Sequence, residues 1–333
     1  MKILIIGGTG TISAAISHLL KEQGHELWII NRGRNNDMLP NNVHIILSDI
    51  WDEKKVTAML DGLYFDCVAD FIAFTPADIE RDYRLFGGRT NQYIFISSAS
   101  AYRKSFSGDL ITESTPLANP YWQYSRDKIA CENLLMRLYN EQGFPATIIR
   151  PSHTYDLRKV PTAIHGSHGS WSVVKRIMDG KPVIIHGDGN SLWTLTHSTD
   201  FAAAFAGLVV NTDAIGEAVH ITSDEALTWN QIYGFISAAA GKPLKATHIA
   251  TDILVSAGKK YDLSGTLLGD KALPAVFDAT KLKRLVPGFV ARKNFEEGIR
   301  ETVSYILAHP EYQTEDPEFD QWCDEILGNK SEE

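Results

Sequence analysis

The stretch Lys2-Ile3-Leu4-Ile5-Ile6-Gly7-Gly8-Thr9-Gly10-Thr11-Ile12-Ser13 decides the fold. Its apolar run, Ile3 to Ile6, is too short for a helix and is stopped by glycine, which predicts a strand buried on both faces. The glycines then turn the chain, and helical periodicity takes over across residues 11–23. A strand, a tight glycine turn and a helix start aim backbone amides at a phosphate, and Gly7 and Gly10 leave the room it needs. The spacing is G-x-x-G-x-x-S, with Ser13 where such turns usually carry a third glycine for close helix-to-sheet packing.

Outward from this turn the unit repeats. Further strands are expected at 26–31, 43–47, 67–70, 93–97 and 146–150, and helices at 54–60, 76–85 and 124–142. Such alternation predicts an α/β fold, a Rossmann doubly wound parallel sheet with right-handed crossovers. After Arg150-Pro151 the regularity breaks into a Gly/His/Ser-rich stretch at 163–170 and a turn-rich run at 186–196. Helices return at 200–210 and 229–240, and a strand at 218–222 rejoins the sheet. The expected organisation is a dinucleotide-binding domain over 1–155, completed by 195–225. A smaller C-terminal α/β substrate lobe takes 156–194 and 226–333. The acidic run 313–320 reads as a solvated surface.

With 333 residues, 44% of them apolar, the chain has enough material for both parts. A net charge of -9 opposes a nucleic-acid partner, whose phosphates need clustered Lys and Arg. No stretch reaches the roughly 18 apolar residues of a membrane span. The N-terminus shows neither a signal-peptide apolar region nor a cleavage site, so a cytoplasmic location is expected. Cys67, Cys131 and Cys323 are odd in number and lack CxxC spacing, which predicts buried thiols and no disulfide framework. A small molecule is the expected partner.

The second strand ends Asn31-Arg32-Gly33-Arg34, with no carboxylate. An acid there binds the adenosine ribose and repels a 2′-phosphate, whereas two guanidiniums pair with one. The pattern therefore leans to NADP over NAD, although Asn31 still suits a ribose hydroxyl and the arginines also read as solvated loop residues. Asp49, followed by Ile50, stands either at the adenine amino group or as the cap of the next helix. Gly7, Gly10, Thr11, Ile12, Asn31, Arg32, Asp49, Ile50 and Pro151 form the candidate cofactor set.

Tyr124-Ser125-Arg126-Asp127-Lys128 puts a phenol and an ammonium one turn apart on one helix face. A phenol ionises near pH ~10, so a tyrosine base working near neutrality needs its phenolate stabilised by about 4 kcal/mol. Lys128 and an oxidised nicotinamide both supply positive charge for that. Upstream, Ser98 closes a buried strand at its carboxyl end, where ligands sit in such sheets, and is placed to hold a substrate hydroxyl.

On these residues the chain resembles an extended short-chain dehydrogenase/reductase of the NAD-dependent epimerase/dehydratase family. The likeness extends through Glu113-Ser114-Thr115-Pro116, Arg150-Pro151, Gly187-Asp188-Gly189 and Glu296-Glu297-Gly298-Ile299. It implies that Ser98 bonds the substrate, Tyr124 is the acid/base and Lys128 anchors the ribose. It also implies that Pro151 and Ser152 approach the nicotinamide, and that a homodimer forms through the helices after Pro76 and Tyr124. Three departures fall on the substrate side. His153 replaces the family's Asn, Trp193 replaces an arginine that clamps a diphosphate, and Ala99-Ser100 stands where dehydratases carry Asp-Glu.

Ser100, His153 and Trp193 are thus the candidate substrate-facing residues, and dehydration is not expected. Trp171 and Trp193 read as core or as platforms for a sugar ring. His153, His165, His168 and His186 lack HxH or HxxxH pairing, so no metal is expected. The leading expectation is an epimerase-like oxidoreductase acting through a transient ketone on a secondary hydroxyl of a sugar or sugar nucleotide. The alternatives are a net NADP-linked reductase or dehydrogenase of a non-nucleotide substrate, and a non-catalytic dinucleotide-sensing or RNA-associated protein.

Overall fold

The computed structural model describes residues 1–105 and 107–328. The chain begins β1 (Lys2–Ile6), α1 (Thr11–Glu22), β2 (Glu26–Asn31), β3 (His44–Leu47), α2 (Glu53–Met59) and β4 (Cys67–Asp70). It continues through α3 (Pro76–Phe86), β5 (Tyr93–Ile96), α4 (Gln123–Gln142), β6 (Ala146–Pro151) and β7 (His153–Tyr155). Next come α5 (Trp171–Met178), β8 (Val183–His186), β9 (Leu192–His197), α6 (Ser198–Leu208), β10 (Ala218–Ile221) and β11 (Ala226–Thr228). The remainder is α7 (Trp229–Ala239), β12 (Ala246–Ile249), α8 (Thr251–Ala257), α9 (Thr280–Leu285), α10 (Phe295–Ala308) and α11 (Pro317–Ile326).

Seven parallel strands build the main sheet in the order β10-β6-β5-β4-β1-β2-β3. β1 is central because its side chains alternate into two apolar layers. Ile3 and Ile5 pack with Phe201 and Phe205 of α6 on one face, while Leu4 and Ile6 pack with Val56, Ile79 and Leu135 on the other. All four are fully buried, each worth about 1.5–3 kcal/mol over an exposed position. Strand order reverses between β1 and β4, and a crevice opens there at the carboxyl ends.

A third core surrounds a β11-β9-β7 sheet and a β12-β8 pair. Within it, the 313–320 run departs from the solvated surface expected of it. Asp316 is buried and accepts the amides of His168 and Phe319, and Asp320 pairs with Arg176 and Lys181. The cause is Arg176 of α5, a buried guanidinium that draws in the carboxylates of Asp320 and Asp324. The three cysteines are free and buried.

The loop after β4 is held by a charge cluster. Arg81 of α3 meets Asp70 at 2.9 Å, Asp78 at 2.8 Å and Asp82 at 2.7 Å, and Tyr93 donates to Asp82 at 2.5 Å. Burial and the neighbouring Asp70 push Asp82 well above the usual carboxylate range. Asp70 in turn accepts the amides of Ile72 at 2.5 Å and Ala73 at 2.8 Å, fixing the course of the loop. Removing one member of such a cluster leaves buried charges uncompensated. Arg81→Met is expected to cost about 3–5 kcal/mol in urea unfolding, and a loss below about 1 kcal/mol would show that the carboxylates do not depend on it.

Candidate active site

The glycine turn works through two left-handed residues, Gly7 at φ 109° and Gly8 at φ 60°. A Cβ on Gly8 would lie 2.8 Å from Ile29 Cγ2, so the sequence motif's middle glycine is required. Gly10 is extended at φ -79° and caps α1, and Ser13 Oγ accepts its amide at 2.9 Å. Ser13 thus takes up a backbone donor where a third glycine would only have allowed close approach.

A cleft of about 460 Å³ runs from this turn past Phe71, Ile72 and Phe74 to Ser98, Tyr124, Lys128 and Pro151. Gly7, Gly10, Thr11 and Ile12 line it as well. Asn31, Arg32, Asp49 and Ile50 are not among those lining residues. Asn31 instead pins its own loop, accepting the Gly33 amide at 2.9 Å and donating to Asn36 at 2.7 Å. Arg32 and Arg34 are exposed and make no ion pair among the described residues. Of the two roles open to Asp49, the helix cap falls to Asp52, which accepts the Lys55 amide at 3.2 Å. Asp49 itself is exposed and accepts the Trp51 amide at 3.0 Å, whereas the Ile50 side chain is buried in the core.

Tyr124 and Lys128 share the first turns of α4. Lys128 is 2% exposed, and its ammonium donates to the carbonyls of Ala73 at 2.6 Å and Ile96 at 2.7 Å. It lies over the rings of Phe74 at 4.6 Å and Phe95 at 4.9 Å. Burial brings it down to about 8, because neutral carbonyls and rings replace water only in part. The third N–H is left for a ligand. One turn on, Glu132 binds Arg150 at the end of β6 and the Ser97 hydroxyl at the end of β5, locking α4 to the sheet.

Ser98 Oγ lies 2.8 Å from Ser100 Oγ, which lies 2.7 Å from Ser125 Oγ on α4, so a chain of hydroxyls orients Ser98. Burial raises the Tyr124 phenol, the Ser98 hydroxyl opposes this, and the Asp270 carboxylate adds to it.

Ser98, Tyr124 and Pro151 also line a second pocket of about 270 Å³, and are therefore the wall where the two spaces meet. Ser100, His153 and Trp193 face this second pocket, as do Lys104, Trp122, Asp270 and Lys271, which the sequence reading did not single out. Trp193 is both core and wall, being 3% exposed with His153 against it at 6.5 Å between rings. Burial, aided by Lys271, brings His153 down to about 3 and keeps it neutral. The other histidines are dispersed. His165 and His168 contact the carbonyls of Gly166 and Glu315, and His186 contacts that of Lys271.

Asp270 and Lys271 end a π-helical segment, Ser264–Lys271. Gly265 and Gly269 let it press on Trp122, where an added Cβ would come within 2.3 Å and 3.0 Å. Asn119 ties it to the hydroxyl chain, donating to the carbonyls of Gly269 at 2.6 Å and Ser100 at 2.9 Å.

The sequence model of the NAD dependent epimerase/dehydratase family matches residues 3–222. Among curated proteins, 2'-dehydrokanamycin reductase of Streptomyces kanamyceticus is 25% identical, over 88% of this chain and 81% of its own length. The chloroplast stem-loop binding protein of 41 kDa b of Arabidopsis thaliana is 26% identical, over 73% of this chain and 64% of its own. Among solved structures, UDP-glucose 4-epimerase of Thermus thermophilus in complex with NAD superposes with a TM-score of 0.72. It is 20% identical, covering 93% of this chain and all of that one, which is a likeness of fold.

The turn makes a direct demand. Gly8→Ala puts a methyl against Ile29 at a left-handed position, a strain of about 1–2 kcal/mol. NADPH titration followed by fluorescence should show affinity weakened about tenfold or more, and undiminished affinity would remove Gly8 from the cofactor turn.

Proposed function

The chain belongs to the NAD dependent epimerase/dehydratase family, and on that premise we propose that it is an NADP-linked reductase of a small polyhydroxylated ketone. The observation that carries this reading is the shared wall: Ser98, Tyr124 and Pro151 face both the glycine-turn cleft and the substrate pocket. The cleft fits a dinucleotide, with its glycine turn at one end and the spare N–H of Lys128 at the other. When bound, that cofactor supplies the hydride.

The chain's own residues do the rest. Ser98, oriented by Ser100 and Ser125, donates to the substrate's carbonyl oxygen. Tyr124, kept protonated by burial, hands its proton to that oxygen as negative charge develops there. Lys128 holds the ribose and places a positive charge beneath the phenol, easing its ionisation. Arg32 and Arg34, exposed and without carboxylate partners among the described residues, suit a 2′-phosphate and support NADP over NAD.

Epimerisation through the same residues is the competing reading. It requires the ketone to turn over within the site before hydride returns to its other face. A pocket of about 270 Å³, with Trp193 in its wall, favours net reduction instead. The similarity to a protein named 2'-dehydrokanamycin reductase over 88% of the chain supports the same choice. Cofactor accounting separates the two. A reductase consumes added NADPH in step with product, whereas an epimerase copurifies with dinucleotide and scrambles a stereocentre with none added.

Tyr124→Phe is expected to lower kcat/KM by about 10²–10⁴-fold with dinucleotide binding retained. Unchanged turnover would remove Tyr124 as the proton donor. Because Lys128 is held down to about 8, its charge is lost as pH rises through that value. The kcat/KM for ketone reduction should therefore be level around neutrality and fall above about pH 8; a profile level to pH ~10 would exclude an ammonium requirement.

A further inference from the structure

The substrate pocket holds charges that hydride transfer does not use. Lys104, Asp270 and Lys271 line it. Lys104 is fully engaged, since its ammonium is bonded to the Asp270 carboxylate, bonded to the Asp270 carbonyl at 3.2 Å and seated 4.4 Å above the Trp193 ring. The two lysines keep Asp270 below the usual carboxylate range despite burial. One carboxylate thus faces two ammoniums.

Lys271 is the surplus. It is 8% exposed, and its ammonium makes no hydrogen bond among the described residues. It pairs loosely with Asp270 at 3.5 Å and faces the Trp122 ring at 5.8 Å. A buried ammonium so poorly satisfied costs free energy that an anion in the pocket would recover. His153 offers no negative charge, being neutral. The positive field of Lys271 also reaches past the pocket, where it helps hold down Lys159 and His165.

The base of this side chain is rigid. The Lys271 carbonyl accepts from His186 Nε2 at 3.0 Å, Trp229 Nε1 at 3.1 Å and Ser191 Oγ at 3.5 Å. The side chain therefore starts from a fixed backbone, and its burial restricts the freedom left to lose when a ligand binds. The pocket's volume of about 270 Å³ falls at the small end for ligand sites, roughly 300–1,000 Å³. It suits a single sugar ring better than a ring with a nucleoside diphosphate attached.

We propose that Lys271 binds an anionic substituent, carboxylate or phosphate, on a monosaccharide-sized substrate whose reacting carbon sits at Tyr124. This rests on the hydride-transfer reading of the same site. Calorimetry on the NADP⁺-loaded protein tests it with D-glucuronate, D-glucose 6-phosphate, D-glucose, D-glucosamine and UDP as probes. At least one sugar anion should bind about tenfold tighter than glucose and glucosamine, and the tighter of the two anions identifies the substituent as carboxylate or phosphate. In Lys271→Met, checked for folding by its thermal melt, that ratio should collapse to within about twofold, while Lys271→Arg retains it. The proposal is overturned if glucosamine binds best, if the anions bind no better than glucose or not at all, or if Lys271→Met leaves the ratio intact. UDP binding tighter than either sugar anion overturns the size assignment. Binding is read by calorimetry and hydride transfer by NADPH absorbance, so the two readings fail separately. Anion preference without hydride transfer removes only the reductase, and hydride transfer to sugars regardless of charge removes only the anion site.

Discussion

The candidate site is organised around one buried cation. The Lys128 ammonium is bonded to two main-chain carbonyls, Ala73 O after β4 and Ile96 O at the end of β5. It therefore clips the carboxyl ends of two neighbouring strands to the helix that carries Tyr124. Each carbonyl has its own support. Ala73 is placed by Asp70, which Arg81 holds from α3, and β5 is tied to α4 through Ser97 and Glu132. Loss of any link lets the ammonium move relative to the phenol, and their spacing decides how much positive charge the phenol feels.

The two buried lysines show how surroundings leave one side chain in different states. Lys128 is satisfied by neutral carbonyls and aromatic faces, so it keeps its position while its hold on the proton weakens. Lys271 has a fixed backbone and an ammonium with room for a partner. One belongs to the helix of the main sheet, the other to a π-helical segment that is packed through glycines against Trp122. Tyr124, on the helix that carries Lys128, and Lys271 line one pocket, so residues from both parts of the fold meet there.

Much of this was legible in the sequence where the signal was local. The β1 run, the glycine turn and α1 could be read because a strand buried on both faces must be continuously apolar and a phosphate turn must lack side chains. Tyr124 and Lys128 stood out by helical spacing, and Ser98 by ending a strand. Gly8 escaped notice because only its dihedral and the closeness of Ile29 reveal its task. Asp52 took the cap offered to Asp49 because it immediately precedes Glu53, where the helix begins, and Asp49 lies too far upstream to reach the helix's first amides. Lys104, Asp270 and Lys271 were invisible, since their meeting depends on contacts between residues far apart in sequence. Asp270 and Lys271 also lie on a helix of unusual period, where face-by-face counting fails. The pairing of Arg176 with Asp320 and Asp324 is long-range in the same way, which is why the acidic run looked like surface.

The Ser264–Lys271 segment lies well over a hundred residues beyond Tyr124 in the chain and meets the hydroxyl chain through Asn119. Position 271 can alter the pocket's charge with the proton-transfer groups and the glycine turn in place, whereas a change at 270 also alters the field on the Tyr124 phenol. The charge of the pocket is thus set from one segment of the chain and its glycine turn and tyrosine from others, so each can be changed by substitution apart from the other.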